Sequence, residues 1–339
     1  MIKASIIGGT GYMGFELLRL LVKHPQVKIN EVTSRGNAGT KISSLHPALM
    51  GFLDSEFVAD LSDPKDNQII FVAAPHGASM DVVPPLMEAG CRVIDLSGDY
   101  RLGNAATYEK WYGKKHTDSK NLAKAVYGLT ELNREKIAKA QLVANPGCYP
   151  TGALLALLPA AKSNIIGGDV IVDSKSGTSG AGAAPGEFTH HPSCAPNVVP
   201  YKVGKHRHTP EIEMTLKSFG GIGEMSFTPH LVPLVRGIQT SCYLRLVKGT
   251  KLDDVKGHYQ SFADENQFVK LVDGIPKITS VLGSNYCHIS IAMASENILA
   301  AFSVIDNLCK GGSGQAIQNM NVMFGLDEKT GLDTPGLGV

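Results

Sequence analysis

The fold of the first part of the chain is decided by MIKASIIGGTGYMGFELLRLL, residues 1–21. A short apolar run typical of a buried strand is followed by glycines, and then by a helical pattern that stops at Pro25. Gly8, Gly11 and Gly14 recur at every third position across this junction. Glycine allows the tight turn and the close backbone approach that a pyrophosphate needs, and free N–H groups at the helix N-terminus bind the phosphates. The stretch therefore predicts a nucleotide-binding loop.

The pattern of the chain changes near residue 145. Before that point, short apolar runs alternate with helical patterns, which predicts a parallel sheet with helices on both faces. After it, MSFTPHLVP, IQTSCYLRLV, CHISIAMA and ILAAFSVID are long β-like runs with few helices between them, which favours an antiparallel or mixed sheet. The segment GSGQAIQNMNVMFG (312–325) has helical spacing, and we expect it to return to pack on the first domain.

Composition argues against several classes of protein. The chain has 339 residues, which fits two domains or one large α/β unit. Its 43% hydrophobic and 19% charged residues are ordinary for a globular protein. A formal net charge of +1 without basic runs argues against nucleic acid, and no apolar stretch approaches the length of a membrane span. The six scattered cysteines form no CxxC pair, and the N-terminus does not read as a signal peptide. We therefore expect a cytoplasmic protein with reduced thiols.

The end of the second predicted strand indicates which nucleotide binds. An NAD-binding domain usually has a carboxylate there, which accepts hydrogen bonds from the ribose 2′-OH. This chain has Ser34 and Arg35 in EVTSRGNAG, and Glu31 lies inside the strand. A hydroxyl and a guanidinium suit a 2′-phosphate, so the sequence favours NADP. The alternative is that Arg35 is a solvated loop charge.

A single cysteine lies where a reactive thiol would be expected. In NPGCYPTGALLALLPA (145–160), Cys148 follows a Pro-Gly turn and begins a helical pattern after a strand. The carboxyl edge of a parallel sheet is where ligands bind, and a helix N-terminus stabilises a thiolate. Cys148 is therefore a candidate nucleophile, although a buried structural cysteine is the alternative.

Two further segments could complete such a site. KHRHTPEIEM (205–214) places His206 and His208 just before a predicted helix, with Glu211 in its first turn. A thiolate that attacks an acyl group and yields a thioester for reduction by hydride needs an acid/base residue and N–H donors for the oxyanion. The loop SKSGTSGAG (174–182) is either a second binding loop, for the nicotinamide side of the cofactor or a substrate phosphate, or a flexible turn.

The chain resembles the N-acetyl-γ-glutamyl-phosphate reductases, and in plan the wider aspartate-semialdehyde dehydrogenase family. The resemblance extends over almost the whole length and keeps the order of the motifs. The pair NPGCYPT and HRHTPE is its most specific part. The matching pieces are GGTGYMGFELLRLL, VTSRGNAG, DLSGDYRL, VYGLTEL, NPGCYPT, SKSGTSGAG, GKHRHTPEIE and SGQAIQNMNVMFGL.

The resemblance implies a role for individual residues. Cys148 matches the nucleophile, His206 is the favoured acid/base with His208 as the alternative, and Glu211 would orient the imidazole. Candidates for contact with the substrate are Arg101, Asn145, His208 and Arg236. The positions that match the cofactor site are Gly9, Thr10, Gly11, Tyr12, Met13, Gly14, Ser34, Arg35, Ala73, Pro75, Ser97, Ser179, Gly180 and Asn321. Of these, Asn321 is expected at the nicotinamide carboxamide, with Asn319 as a neighbouring candidate.

The resemblance also implies an activity and a domain plan. The activity would be NADPH-dependent reductive dephosphorylation of N-acetyl-γ-glutamyl phosphate through a cysteine thioester, a step of arginine biosynthesis. The plan would be a Rossmann domain formed by 1–147 plus 312–339, and an α+β catalytic and oligomerisation domain formed by 148–311. We expect a homodimer or homotetramer, no metal ion, and no nucleic-acid or membrane partner.

Three alternatives remain at this stage. The segment THHPSCAPNVVPY (189–201) contains His190-His191 and resembles relatives that act on an aminoadipyl phosphate of lysine biosynthesis, sometimes on a carrier protein. A zinc enzyme could use these histidines with His206, His208 and Cys194, although the spacing fits no familiar zinc pattern. A non-catalytic NADP sensor would bind cofactor without an activated thiol.

Overall fold

The computed structural model describes residues 1–339 and divides the chain into two compact units. Unit 1 comprises Met1–Pro146 and Gly312–Asp333, and unit 2 comprises Gly147–Gly311 and Thr334–Val339. We expected the whole of 312–339 to join the first domain, and for the last six residues this was wrong. They lie in unit 2, where main-chain hydrogen bonds from Leu337 and Gly338 reach the segment 279–282.

Unit 1 contains a six-stranded, fully parallel sheet in the order β2-β1-β3-β4-β6-β5. Its strands are β1 (Ile2–Ile7), β2 (Val27–Thr33), β3 (Ile69–Val72), β4 (Arg92–Asp95), β5 (Val126–Tyr127) and β6 (Leu142–Ala144). The helices of residues 1–146 are α1 (Tyr12–Leu21), α2 (Ile42–Leu45), α3 (Ser79–Glu88), α4 (Ala105–Tyr112), α5 (Ser119–Leu122) and α6 (Thr130–Ala138). This arrangement confirms the predicted parallel sheet of a Rossmann-type domain.

Unit 2 contains a seven-stranded mixed sheet in the order β11-β12-β13-β10-β7-β9-β8. Its strands are β7 (Ile166–Ser176), β8 (Val199–Pro200), β9 (Met225–Leu231), β10 (Ile238–Leu246), β11 (Val269–Leu271), β12 (Cys287–Ser295) and β13 (Ile298–Ile305). Its helices are α7 (Cys148–Lys162), α8 (His191–Cys194), α9 (Thr209–Lys217) and α10 (Leu252–Glu265). The mixed sheet confirms the predicted character of the second domain.

The helix that begins with the candidate cysteine forms the core of unit 2. All residues of α7 from Tyr149 to Ala161 are buried, and the helix packs on β10 and β13 and against α9. A helix that is apolar on every side is stable only when it is covered on every side. The run of leucines and alanines in this segment therefore places α7 in the interior of unit 2, directly after Cys148.

The last helix, α11 (Gly314–Met323), belongs to unit 1, where it packs against α6 and α1. Every one of its residues is buried, including its glutamines and asparagines. None of the helices of the chain combines the length and the apolar character that a membrane crossing needs.

Two elements differ from the expectation. The two-residue strand β5 and the helix α10, which lies between β10 and β12, were not assigned from the sequence. The buried side chains of α10 are Val255, Tyr259, Phe262 and Ala263, which recur at helical spacing. Polar residues separate these four side chains, so the segment contains no continuous apolar run.

Candidate active site

The glycine loop of unit 1 has the geometry of a nucleotide-binding turn. Gly8 has φ +89°, and a Cβ there would lie 2.6 Å from the carbonyl oxygen of Ala73. A Cβ on Gly14 would lie 2.4 Å from the carbonyl oxygen of Gly8, so neither position accepts a side chain. Gly11, the residue before α1, faces open space, since a Cβ there would meet nothing within 4 Å. The loop is therefore tightly packed inside and open at the helix N-terminus, which fits a bound pyrophosphate.

The rest of the predicted loop and one histidine surround this turn. Tyr12 is partly exposed, and the carbonyl oxygen of Met13 accepts a 2.8 Å hydrogen bond from the Ser313 hydroxyl. Nε2 of His46 lies 2.9 Å from the carbonyl oxygen of Gly9. We did not predict a role for His46, because a single histidine in a loop has no sequence signal.

Arg35 lies just after β2, in a single helical turn that follows Ser34. Its Nε and Nη2 donate hydrogen bonds of 3.1 and 2.9 Å to Oδ1 of Asp60. Both side chains are well exposed, so this ion pair is weak and can open for an anion. The structure therefore leaves Arg35 available at the end of β2.

Ala73, Pro75 and Ser97 follow β3 and β4, and the carboxyl ends of parallel strands meet at one edge of a sheet. The Ser97 hydroxyl donates a 2.7 Å hydrogen bond to Asp95, which is fully buried. Burial raises the pKa of Asp95 to about 6, although hydrogen bonds from Ser97 and Ser79 act in the opposite direction. Ser97 is thus fixed at the same edge as the glycine loop.

Asn321 does not have the surroundings expected at a nicotinamide. It is fully buried, and its Nδ2 donates to the carbonyl oxygens of Glu328 and Thr330 at 3.0 and 2.9 Å. Its Oδ1 lies 3.0 Å from Nε2 of His24. These contacts give Asn321 a structural role in unit 1 and do not support the cofactor contact.

Two other predicted residues hold the end of β6. Arg101 is almost fully buried and donates to the carbonyl oxygens of Asn145 and Leu96 at 2.7 and 2.9 Å. The Asn145 side chain in turn donates a 3.0 Å hydrogen bond to the carbonyl oxygen of Gly312. Arg101 therefore braces the loop that leads to the cysteine, and this does not support a role as a substrate anion receptor.

Cys148 lies in a cavity of about 330 Å³ in unit 2. It is the first residue of α7, follows the N-cap residue Gly147, and is partly exposed. The cavity is lined by Cys148, Tyr149, Ser176, Gly180, Ala181, Ala184, Gly186, Glu187, Phe188, Thr189, Tyr201, Lys202, His206, Arg207, His208 and Leu231. The structure thus brings the thiol and both predicted histidines to one cavity, at a helix N-terminus that favours the thiolate.

The two histidines lie side by side before α9. Their ring centroids are 4.8 Å apart, and Nδ1 of His206 accepts a 3.1 Å hydrogen bond from the His208 backbone N–H. The N-cap of α9 is His208 and the helix begins at Thr209, directly after the two predicted histidines. The His208 ring packs on Gly147, since a Cβ on Gly147 would lie 2.5 Å from its Nε2. Of the two imidazoles, His208 therefore contacts the residue next to the cysteine.

Charge and burial shift the pKa values of one histidine and two tyrosines that line the cavity. Burial, then the positive charges of Arg207 and Lys202, lower the pKa of His206 to about 3. Burial raises the pKa of Tyr201 to about 12 and raises that of Tyr149 as well. The two phenol oxygens lie 3.0 Å apart and stay protonated at neutral pH, so they offer hydrogen-bond donors and no negative charge.

Of the remaining predicted residues of unit 2, some lie at the cavity and others do not. Gly180 lines the cavity, and the Ser179 hydroxyl accepts a 2.9 Å hydrogen bond from Nδ2 of Asn307. Arg236 does not line the cavity and forms a 2.9 Å ion pair with the fully buried Asp306. Neither its position nor its partner supports a contact with substrate.

The zinc alternative lacks a ligand set. No group of three or more His, Cys, Asp or Glu side chains in the chain could hold a metal ion. His190 is the N-cap of a short surface helix that begins at His191, and neither residue is among those that line the cavity.

Family models match both halves of the chain. Residues 3–140 match the semialdehyde dehydrogenase NAD binding domain, and residues 148–307 match the semialdehyde dehydrogenase dimerisation domain. The aspartate semialdehyde dehydrogenase II of Vibrio cholerae, complexed with ASA, has a TM-score of 0.72 at 18% identity and covers 96% of this chain and 98% of its own. The aspartate semialdehyde dehydrogenase of Candida albicans, solved with NADP, has a TM-score of 0.72 at 16% identity and covers 96% of this chain and 98% of its own. Fold and site define a protein of the semialdehyde dehydrogenase class.

Known sequences about half identical to the chain belong to one family within this class. N-acetyl-gamma-glutamyl-phosphate reductases of Methanosphaera stadtmanae, Methanocaldococcus jannaschii and Methanosarcina barkeri are 50%, 49% and 48% identical to the chain. Each match covers 99% of this chain and 98% to 99% of the relative. The chain belongs to the N-acetyl-γ-glutamyl-phosphate reductase family.

Proposed function

We propose that the protein reduces N-acetyl-γ-glutamyl phosphate with NADPH to N-acetylglutamate 5-semialdehyde, with release of inorganic phosphate. The observation that carries the proposal is the position of Cys148 at the start of a buried helix, in one cavity with two histidines. The names of relatives about half identical in sequence supply the substrate. The place in arginine biosynthesis is what the resemblance to this family implies.

The thiolate of Cys148 attacks the acyl carbon, the carbon–oxygen bond to phosphate breaks, and an acyl thioester forms on the sulfur. The N-terminus of α7 stabilises the thiolate before the attack, and the nearby N–H groups and phenols are donors for the oxyanion. The phosphate leaves as an anion and the acyl group stays on the sulfur. This step therefore consumes no water molecule.

We assign the acid/base role to His208 and a supporting role to His206. His208 contacts Gly147, next to the thiol, and Glu211 lies one helical turn after it. The pKa of His206 is too low for an efficient proton carrier at neutral pH, since the best acid/base groups titrate near the working pH. His208 takes the thiol proton first and later returns a proton to the sulfur, when the carbon–sulfur bond of the reduced thioester breaks and the aldehyde leaves.

The cofactor would be held by unit 1. The open N-terminus of α1 at Gly11 suits the pyrophosphate, and Ser34 with Arg35 suits a 2′-phosphate. When bound, NADPH supplies the hydride that reduces the thioester. The structure with NADP from Candida albicans has the same fold, which supports this choice of cofactor.

The reverse reaction tests the proposal. Purified protein with N-acetylglutamate semialdehyde, phosphate and NADP should form NADPH, seen as absorbance, in a phosphate-dependent way. Cys148→Ser should lose this activity by at least roughly a thousandfold, the scale expected for removal of a nucleophile. Cys194→Ser, at a partly exposed cysteine that does not line the cavity, should keep it. Activity only with the aminoadipate analogue would move the substrate to lysine biosynthesis, and full activity of Cys148→Ser would refute the thioester mechanism.

We further propose that the protein works in the cytoplasm as a homodimer or a homotetramer. The outer face of the unit 2 sheet carries the exposed apolar side chains of Ile171 and Tyr243, which lie opposite each other on β7 and β10. The opposite face of this sheet is covered by α7. A second copy of the chain is the expected partner of the outer face, since these strands match a dimerisation domain.

A further inference from the structure

The cavity around Cys148 contains two cations that the sequence did not single out. Lys202 and Arg207 line it together with the thiol, whereas Arg101 and Arg236, the arginines expected to meet the substrate, are not among its residues. Both cations act on His206, because their charges help to lower its pKa. The positive charge of the cavity therefore lies close to the imidazoles and the thiol.

Neither cation is neutralised within the chain. None of the salt bridges includes Lys202 or Arg207, and Glu187, the one carboxylate among the lining residues, forms no ion pair with them. Two cations without partners at one cavity suit anionic ligands, and the half-buried Arg207 in particular needs a compensating charge, because its site is partly desolvated.

The two cations lie at different depths. Arg207 is half-buried between the two buried histidines, whereas Lys202 is exposed. Lys202 has φ +48°, and it is one of only two non-glycine residues with positive φ in the chain, the other being Asn164. Non-glycine residues rarely adopt this conformation and keep it where the surrounding structure holds the backbone, so Lys202 has a defined backbone position at the cavity.

We propose that Arg207 binds the phosphate of the acyl phosphate and that Lys202 binds the α-carboxylate at the other end of the substrate. This inference rests on the proposed function. The phosphate is attached to the carbon that the thiol attacks, so its receptor must share the cavity of the thiol, and Arg207 lines that cavity and lies between the two histidines in the sequence. The α-carboxylate is several bonds away, which suits the exposed cation at the rim. The planar fork of an arginine also matches two phosphate oxygens at once.

The reverse reaction separates the two anions, because phosphate and the aldehyde are then independent substrates. Arg207→Gln should raise the KM for phosphate by roughly tenfold to a hundredfold, the scale of a lost charge-assisted contact, and leave the KM for the aldehyde within about twofold. Lys202→Asn should do the opposite, and asparagine tolerates the positive φ. Arg207→Lys should give an intermediate KM for phosphate, since it keeps the charge and loses the fork.

The matched control is Lys205→Gln, an exposed lysine of the same segment that does not line the cavity. It should leave both KM values unchanged, and the melting temperature of each variant reports whether it folds. If the wild type is active and Arg207→Gln or Lys202→Asn behaves like the control, or if the two effects are exchanged, the inference is overturned while the proposed function stands. If the wild type forms no NADPH, the proposed function fails and the inference fails with it.

Discussion

The backbone N–H of Gly147 donates a hydrogen bond of 2.7 Å to Oε1 of Glu211. Gly147 precedes the cysteine at the start of α7, and Glu211 lies in the first turn of α9, fully buried. A hydrogen bond to a carboxylate is short and about twice as strong as a neutral one. This contact therefore sets the spacing between the thiol of Cys148 and the imidazole of His208.

Glu211→Gln should lower kcat by roughly tenfold to a hundredfold while the melting temperature falls by only a few degrees. The amide oxygen keeps an acceptor for Gly147, but the negative charge that stabilises an imidazolium is lost. Steady-state kinetics and thermal melting check both parts. The matched control is Glu213→Gln on the same helix, whose carboxylate forms a partly exposed ion pair with Lys217. Equal kcat values for the two variants would contradict the role of Glu211.

The low pKa of His206 makes stability depend on pH in a defined direction. Its pKa is about 3 in the folded chain against an ordinary value of 6.5, so the unfolded chain binds the proton first as the pH falls. The folded state is therefore destabilised between about pH 6.5 and pH 3, and this group has no effect above that window. His206→Asn removes the effect and keeps an acceptor for the His208 N–H.

The expected result is a smaller loss of stability in acid. Between about pH 7.5 and pH 5, His206→Asn should lose up to about 2 kcal/mol less of its unfolding free energy than the wild type. Urea unfolding at the two pH values measures this difference. His258→Asn replaces an exposed imidazole on α10 and should keep the wild-type response. A His206→Asn variant as acid-sensitive as the wild type would show that His206 titrates normally.

The glycine loop allows a paired test of folding and cofactor binding. Gly14→Ala places a Cβ against the backbone of Gly8 and Gly9, so it should lower the melting temperature of unit 1 markedly. Gly11→Ala has ordinary backbone angles and open space, so it should fold normally and lose cofactor affinity by roughly tenfold or more. Thermal melting and NADPH titration separate the two outcomes. Unchanged NADPH affinity in Gly11→Ala would place the pyrophosphate elsewhere.

Arg35 should determine the choice between NADPH and NADH. Arg35→Gln should reduce the ratio of kcat/KM for NADPH over NADH by roughly tenfold to a hundredfold, because the charge that would face the 2′-phosphate is gone. Asp60→Asn is the matched control, since it removes the partner of Arg35 and keeps the guanidinium. This control should keep or increase the preference for NADPH. A preference that survives in Arg35→Gln would mean that Arg35 is a solvated loop charge.

The sequence predicted the parts of the molecule that local patterns encode. The glycine spacing around Gly11, the apolar run that makes α7 and the HRHTPE segment each depend on residues close together in the chain, and each was placed correctly on its element. Such patterns reflect the period of a helix or the demands of a tight turn, so they need no knowledge of distant contacts.

The positions of Arg101 and Arg236 could not be predicted from local patterns, because they depend on partners that are distant in the sequence. Arg236 pairs with Asp306 and Arg101 donates to the carbonyl of Asn145, and neither partner lies near it in sequence. Conversely, Lys202 and Arg207 had no pattern of their own and line the cavity only because the segment before α9 folds around the start of α7. A charged residue at a ligand site and one in a structural ion pair look alike in a single sequence.

The exposed face of the unit 2 sheet gives a prediction about assembly. Ile171 is 54% exposed and Tyr243 is 37% exposed, and the two residues are paired across β7 and β10. Ile171→Asp should place a charge in the middle of the proposed interface, where burial without a partner is costly. We expect light scattering to show a shift from the wild-type assembly toward the mass of a single chain as the protein is diluted.

Ile275→Asp is the control for this change, because Ile275 is 84% exposed in a loop and lies outside the strands of the sheet. It should leave the mass unchanged at every concentration. If Ile171→Asp also keeps the wild-type mass, a different surface holds the subunits together. If the Ile171→Asp single chain still binds NADPH and retains its melting transition, the units fold without the interface, and any loss of activity then reports what the partner contributes to the cavity around Cys148.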